Sequence, residues 1–499
     1  MKKLALIFFL AILFFAACGR SNIERTPLTI PTSNQLNDVL DTAFSRRTAI
    51  SRTTGAEISS FTAGRERMVD YRPWVAGTVD SRYDMITREE AFLDIEALFT
   101  VLATEYSLYL YFGGDDVFLP IKYDLLRYVF ARPYLYAGEL SEIIYKSLST
   151  AINDIHAIFG GNHFIPKYDF VTVDVAFKRV GSSFYNKENG LRILSLSIPD
   201  MPEMEISLNE VLKFSIDESG DTFFYTLVMA LQLPENIAAP QYITIVYTDN
   251  TTEVLSLDAL YRGLYRALEP YVSLQHMYGF PVVTLTVIGS PGAPEGTSGR
   301  EEALQFLEYT NYLKDYPVVI VDLRGNGGGN DRLLAQWFYN MLGKDPSITG
   351  TRLMLIDRFM FNTIDASPEA AAALFAHALL DESHVITYMQ EEVMTNDRLM
   401  ILLVDSYSGS ASEAMVSRFL RMENTLVIGQ NTLGAFSANS GRANTVLPHS
   451  GIPFSFGDVA FVHPPNLFSE GRGFAPDIWV TGCALTATIN MLNNHIIRE

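Results

Sequence analysis

Pro317-Val-Val-Ile-Val-Asp322-Leu-Arg324-Gly325-Asn326-Gly327-Gly328-Gly329-Asn330 is an apolar run that ends in a glycine-rich turn. A second stretch of the same build is Leu399-Met-Ile-Leu-Leu-Val-Asp405-Ser-Tyr-Ser-Gly409-Ser410-Ala411-Ser412-Glu413. Unbroken apolar runs of this length, bounded by turn residues, read as buried strands. A helical pattern follows each. A glycine turn beside a helix N-terminus leaves bare backbone N–H groups, which suits an oxyanion. A serine on a strand-to-helix turn is held with its hydroxyl exposed, as a nucleophile must be. The pair points to acyl-transfer chemistry, most simply peptide hydrolysis.

Around these stretches strand and helix alternate. Val282 to Ile288 reads as a strand, Glu301 to Leu313 as a helix, Leu353 to Ile356 as a strand, Pro368 to Leu380 as a helical insert and Thr425 to Ile428 as a strand. Such alternation argues for an α/β domain over residues 271–499, closed by hairpins from Asn444 to Val480. Residues 166–270 carry strand-like alternation, as in Tyr242-Ile-Thr-Ile-Val-Tyr-Thr, and read as a mixed α/β insert. Residues 86–165 read as helical. Thr87-Arg-Glu-Glu90 is a capping box, and a second helix is predicted from Glu139 to Phe159, ending at Gly160-Gly161. Residues 19–85 are polar and read as a tether and N-terminal segment.

The first residues read as a targeting segment. Lys2 and Lys3 precede an apolar run from Leu4 to Ala17, too short for the roughly 20 residues of a membrane-spanning helix, and Cys18 follows. Phe15-Ala-Ala-Cys18 is similar to a bacterial lipobox, which implies a signal peptide over 1–18, diacylation of Cys18 and a lipid-anchored protein of the cell envelope. Gly19, where an inner-membrane lipoprotein often has aspartate, favours the periplasmic side of the outer membrane or the cell surface. Cys483 is the other cysteine, expected as a small buried residue; with Cys18 lipidated, no disulfide and no cysteine-based metal site is expected. A chain of 499 residues can hold two or three domains, and a net charge of −20 argues against nucleic acid as a partner.

Asp322-Leu-Arg-Gly-Asn-Gly-Gly-Gly329, Ser410-Ala-Ser-Glu413, Ile428-Gly-Gln-Asn-Thr-Leu-Gly434, Leu447-Pro-His-Ser-Gly451 and Gly471-Arg-Gly-Phe-Ala-Pro-Asp477 occur in that order. Together they resemble the carboxyl-terminal processing and tricorn-core serine peptidases. The resemblance implies a crotonase-like ββα catalytic core preceded by an N-terminal helical domain and a PDZ-like α/β domain, which residues 86–165 and 166–270 would supply. It implies Ser410 as nucleophile, with Ser408 and Ser412 as fallbacks, and Gly328 with Ala411 as oxyanion donors. Ser410-Ala-Ser-Glu413 alone also reads as a helix cap. The glycine loop alone also reads as a phosphate loop, although no Gly-Lys-Ser/Thr follows it. Asp322 and Arg324 are expected to support the loop by ion pairing.

Where the processing branch has its lysine base, Thr432-Leu-Gly-Ala435 has alanine. The tricorn-like branch takes a histidine from the helical domain and a glutamate from the closing strands. Asn153-Asp-Ile-His156 and Glu470 resemble these, which implies His156 as base and Glu470 as its orienter. His163, His449 and His463 are the other candidate bases, and Glu413 an alternative acid. The spacing of His449 and His463 fits no short zinc signature, so no metal and no cofactor is expected. The expectation is a lipid-anchored serine peptidase acting on a peptide or protein, whose substrate strand adds to an edge of the core. The alternative is a catalytically inactive peptide-binding lipoprotein. Neither substrate sequence nor oligomeric state follows from the residues.

Overall fold

The computed structural model describes residues 24–50, 84–165, 168–199, 201, 204–232, 239–260, 271–297, 299–349, 351–355, 384–387, 392–439, 445–464 and 466–497. Cys18, most of the expected tether and the helical insert at 368–380 lie outside them.

Residues 24–50 depart from the reading of a tether. Helix α1 (Asn34–Thr48) starts at Ser33, whose hydroxyl accepts from the Leu36 N–H. Its Leu36, Val39, Leu40, Ala43 and Phe44 fall three and four residues apart and are buried. They join a core that includes Ile320, Ile401, Leu403 and Ile428. The segment is therefore one wall of the catalytic region, and Arg47 is buried in a 2.7 Å ion pair with Asp477.

The helical region packs α2 (Arg88–Glu105), α3 (Asp115–Phe130) and α4 (Ala137–Leu148). The Thr87 capping box is present in full. The predicted second helix stops eleven residues early. At its end Ser149 Oγ donates to the Tyr145 carbonyl and Thr150 Oγ1 to the Ser147 carbonyl, side-chain bonds that compete with further helical turns. The chain then runs as strand β1 (Asp154–Phe159), paired antiparallel with β2 (Asn162–Phe164). His156 thus sits on a strand rather than at a helix end.

The insert is almost wholly β; among its described residues one helical turn, Leu208–Val211, leads into strand β3 (Leu212–Ile216). This strand is not separate from the core. Ser215 pairs with Trp479, and its Oγ donates to the Trp479 carbonyl at 2.6 Å. The insert strands Phe223–Leu231, Asp169–Thr172 and Asp258–Leu260 extend the same sheet outward from β3.

The core strands are β4 (Phe280–Leu285), β5 (Val318–Asp322), β6 (Leu399–Val404), β7 (Thr425–Gly429) and, after strand β8 (Pro453–Ser455), β9 (Ile478–Trp479). In the sheet they run β3-β9-β7-β6-β5-β4, each neighbour parallel to the next, within twelve strands in all. Alternate residues serve opposite faces. Val319, Val321, Met400 and Leu402 pack with helices α5 (Arg300–Leu313), α6 (Asp331–Leu342) and α7 (Ala411–Phe419). Val318, Ile320, Leu399 and Ile401 pack with α1 and α8 (Ala484–His495). Burial on both faces is why these strands are unbroken apolar runs.

One joint brings the helical region to the core. Strand β8 pairs with β1, Phe454 opposite Phe159 and Ser455 opposite Ile158. Leu98, Leu102, Ile144 and Phe159 share a single core with Leu447, Phe454, Phe456 and Ala460. The helical region and the closing strands are thus one packed body, which carries His156 to the end of β6.

Candidate active site

Ser410 lies between β6 and α7 with φ 52° and ψ −116°. A non-glycine residue there is strained and persists only where its surroundings hold it. The holding group is Glu413. Its Oε2 accepts from the Ser410 N–H at 3.0 Å and the Ala435 N–H at 2.7 Å. Its Oε1 accepts from Thr432 Oγ1 at 2.6 Å and the Gly434 N–H at 2.8 Å. Burial pushes Glu413 up to about 7 against these four donors. The carboxylate closes one half of the capping box read from the sequence, but the serine hydroxyl does not close the other. Ser410 Oγ lies 3.0 Å from His156 Nε2.

The neighbouring serines are committed elsewhere. Ser408 Oγ donates to the Leu323 carbonyl and Ser412 Oγ to the Asn326 carbonyl, and both residues are buried. Among the candidate histidines, His163 Nδ1 lies 2.7 Å from the Ile155 carbonyl, and His463 Nε2 lies 2.9 Å from that of Phe436. His449 is exposed, with its N–H on Asp94. Burial, with a smaller push from His163, lowers His156 to about 4, so its ring is neutral at pH 7 and Nε2 can accept a proton.

The glycine loop packs directly on the serine turn. A Cβ on Gly328 would stand 2.7 Å from Ser410 Cβ and 2.9 Å from the Ala411 nitrogen, and φ there is +109°. Both facts require glycine. The Gly328 N–H, expected to face an oxyanion, donates to Asn326 Oδ1 at 2.8 Å in this state. The physical reason is local: buried Asn326 anchors the loop, its Nδ2 donating to the Leu285 carbonyl. Ala411 is the first residue of α7, so its N–H has no acceptor within the helix. Asp322 and Arg324 form a two-point ion pair, Nε to Oδ1 at 2.9 Å and Nη2 to Oδ2 at 2.7 Å, which braces the loop after β5.

Glu470 stands behind His156 but does not bond its ring. Its Oε1 accepts from the Ile155 N–H at 3.2 Å and its Oε2 from the Ser437 N–H at 3.0 Å. His156 Nδ1 is buried, and no described group partners it. Two further residues, to which the motifs assigned no role, complete this region. Asp154 Oδ1 accepts from the His156 N–H at 2.9 Å, and Asp154 Oδ2 accepts from the Tyr106 hydroxyl at 2.9 Å. Asp154 lies in the Asn153–His156 stretch quoted from the sequence, and only that place could have flagged it. Cys483, expected to be buried, is exposed at the start of α8, with Arg324 Nη1 3.6 Å from its Sγ.

Residues 282–480 match the profile described as Peptidase family S41. The nisin-resistance protein of Lactococcus lactis subsp. lactis is 24% identical over 206 residues, 41% of this chain and 59% of that protein's length. Among solved structures, mature CPAF aligns over 82% of this chain and 95% of its own, at 12% identity and a TM-score of 0.41. The photosystem II D1 C-terminal processing protease aligns over 78% and 93%, at 13% identity and a TM-score of 0.36.

Proposed function

We propose that the chain, whose residues 282–480 match Peptidase family S41, is a serine peptidase that hydrolyses peptide bonds with Ser410 as nucleophile, His156 as general base and Glu470 as the supporting acid. One observation carries the reading: two residues 254 positions apart meet with Oγ and Nε2 at 3.0 Å. The Ser410 hydroxyl donates to the neutral imidazole and gives up its proton as Oγ attacks the peptide carbonyl. His156 returns that proton to the leaving amine. The oxyanion is held by the Ala411 N–H at the start of α7, and by Gly328 once its N–H leaves Asn326. The alanine at Ala435 fits this scheme, because the base comes from β1. The 3.0 Å contact also disfavours an inactive binding scaffold.

A fluorophosphonate probe tests the reading. The full chain is expected to take one label, on Ser410, and Ser410→Ala to take none. Label on another serine, or persisting in that variant, refutes Ser410 as nucleophile.

Attachment to an envelope membrane through Cys18 is part of the same proposal, supported by the lipobox pattern. No described helix is long and apolar enough to cross a membrane. Cells given an alkynyl fatty acid are expected to label the protein but not Cys18→Ser. Equal labelling of the two removes the anchor.

A further inference from the structure

The strand that bears His156 is irregular. Asp154 pairs with Phe164, yet the next registered pair is Ile158 with His163, so three residues of β1 loop out where β2 has none. A bulge of this kind re-aims a side chain, and it strips the looped residues of ladder partners. Their amides are buried and need acceptors. Two carboxylates supply them. The Ile155 N–H donates to Glu470 and the His156 N–H to Asp154. The Ile155 carbonyl is taken by His163 Nδ1. Asp154 is itself fully buried and is held by Tyr106, at the end of α2. Tyr106 is fixed in turn by its ring against Phe456, 5.2 Å between centroids, and by the Ser107 N–H on the Gly457 carbonyl.

We propose that Asp154 and Tyr106 are positioning residues for catalysis: with Glu470 they hold the 155–157 bulge by its backbone and so aim His156 Nε2 at Ser410. The inference rests on the reading of Ser410 and His156 given above. It changes the part played by Glu470, which acts on the strand rather than on the imidazole ring. It also explains why a base delivered from another region is placed accurately: the buried pair ties α2, β1 and the Glu470 loop to one point.

The arrangement carries a pH signature. The titratable groups facing Asp154 are Tyr106 on α2, His163 on β2 and Glu470 on the closing loop, and Glu413 on α7 also faces Glu470. Burial raises Asp154 to about 6, and burial, with a further push from the Asp154 charge, raises Glu470 well above the usual carboxylate range. The first negative charge of the pair is therefore gained as pH rises through about 6 and rests on Asp154. The Tyr106 hydroxyl stabilises that charged form, so its removal moves the transition to higher pH.

The test is the second-order rate of fluorophosphonate labelling of Ser410 against pH, on the full chain, with thermal unfolding as a check on folding. The unmodified protein is expected to show an acid limb near pH 6. Tyr106→Phe is expected to move that limb up by about one pH unit, the effect of losing one hydrogen bond to a charged group. Asp154→Asn is expected to abolish the limb and lower the plateau about a hundredfold, the cost of a base displaced by about 1 Å. If the unmodified protein labels and the Tyr106→Phe profile overlays it, the inference falls while the reading of the site stands. If the unmodified protein takes no label at Ser410, the reading of the site falls and takes the inference with it. Tyr106→Phe removes one oxygen only, so it decides the matter even if Asp154→Asn fails to fold.

Discussion

His156→Gln is expected to lower peptide hydrolysis about 10⁴-fold or more while leaving the unfolding temperature nearly unchanged. Glutamine can fill much of the imidazole's space and can bond Ser410 Oγ, but it cannot take a proton at neutral pH. A serine hydroxyl without a base is a poor nucleophile. Among the described residues the His156 ring makes one polar contact, to Ser410 Oγ, so little folding energy depends on the imidazole itself. The backbone N–H of residue 156 would keep its bond to Asp154 in the variant. Turnover of an unfolded protein substrate measures the effect. Combining His156→Gln with Ser410→Ala is expected to add almost nothing to either alone, because the two act as one unit. Retention of activity within about tenfold would assign the base to another group.

How far the residues alone led depends on which physical signal each feature left. Strands β5 and β6 were legible because parallel strands covered on both faces must be apolar throughout. The turn at Ser410 was legible because strand, glycine and capping pattern coincide there. Helix α1 was hidden by its flanks: Leu36, Val39, Leu40, Ala43 and Phe44 form a helical stripe, but Ser, Thr and Arg clusters around it read as tether. The break after Leu148 was hidden for the opposite reason. Ile152 and Ile155 continue the helical spacing of Ile144 and Leu148, although the structure places them beyond the helix. Periodicity cannot distinguish a helix that goes on from a strand whose buried residues fall at compatible positions.

The site shows the same division. The motif order brought Ser410, His156 and Glu470 together on paper, but it could not say which atoms meet. Glu470 approaches the Ile155 amide because the bulge leaves that amide without a strand partner. The pairing of Asp154 with Tyr106 left no signal, since it spans 48 residues and depends on how α2 ends against β1. Cys483 read as buried on residue type alone; its place at the exposed start of α8 is a property of the fold.

Glu413→Gln is expected to destabilise the protein by about 2–6 kcal/mol, large against the roughly 5–15 kcal/mol that holds a typical domain folded. The substitution keeps shape and removes charge, so packing is not at issue. Each carboxylate oxygen accepts two donors: Thr432 Oγ1 and Gly434 N–H on one, Ser410 N–H and Ala435 N–H on the other. Whichever way the glutamine amide turns, its NH₂ meets two donors and leaves both unsatisfied, at about 1–3 kcal/mol each. Burial raises Glu413 to about 7, above its ordinary value, so the folded state binds this proton more tightly than the unfolded state does. The stability from that proton is full at low pH and is lost as pH rises through about 7. The glutamine variant has no such dependence. The penalty measured as the difference between the two proteins is therefore expected to be smaller at pH 8 than at pH 6. A penalty that instead stays the same from pH 6 to pH 8 would mean that the four donors outweigh burial and that Glu413 is a carboxylate throughout. A penalty below about 1 kcal/mol at both pH values would mean that these bonds do not hold Ser410 in its strained geometry.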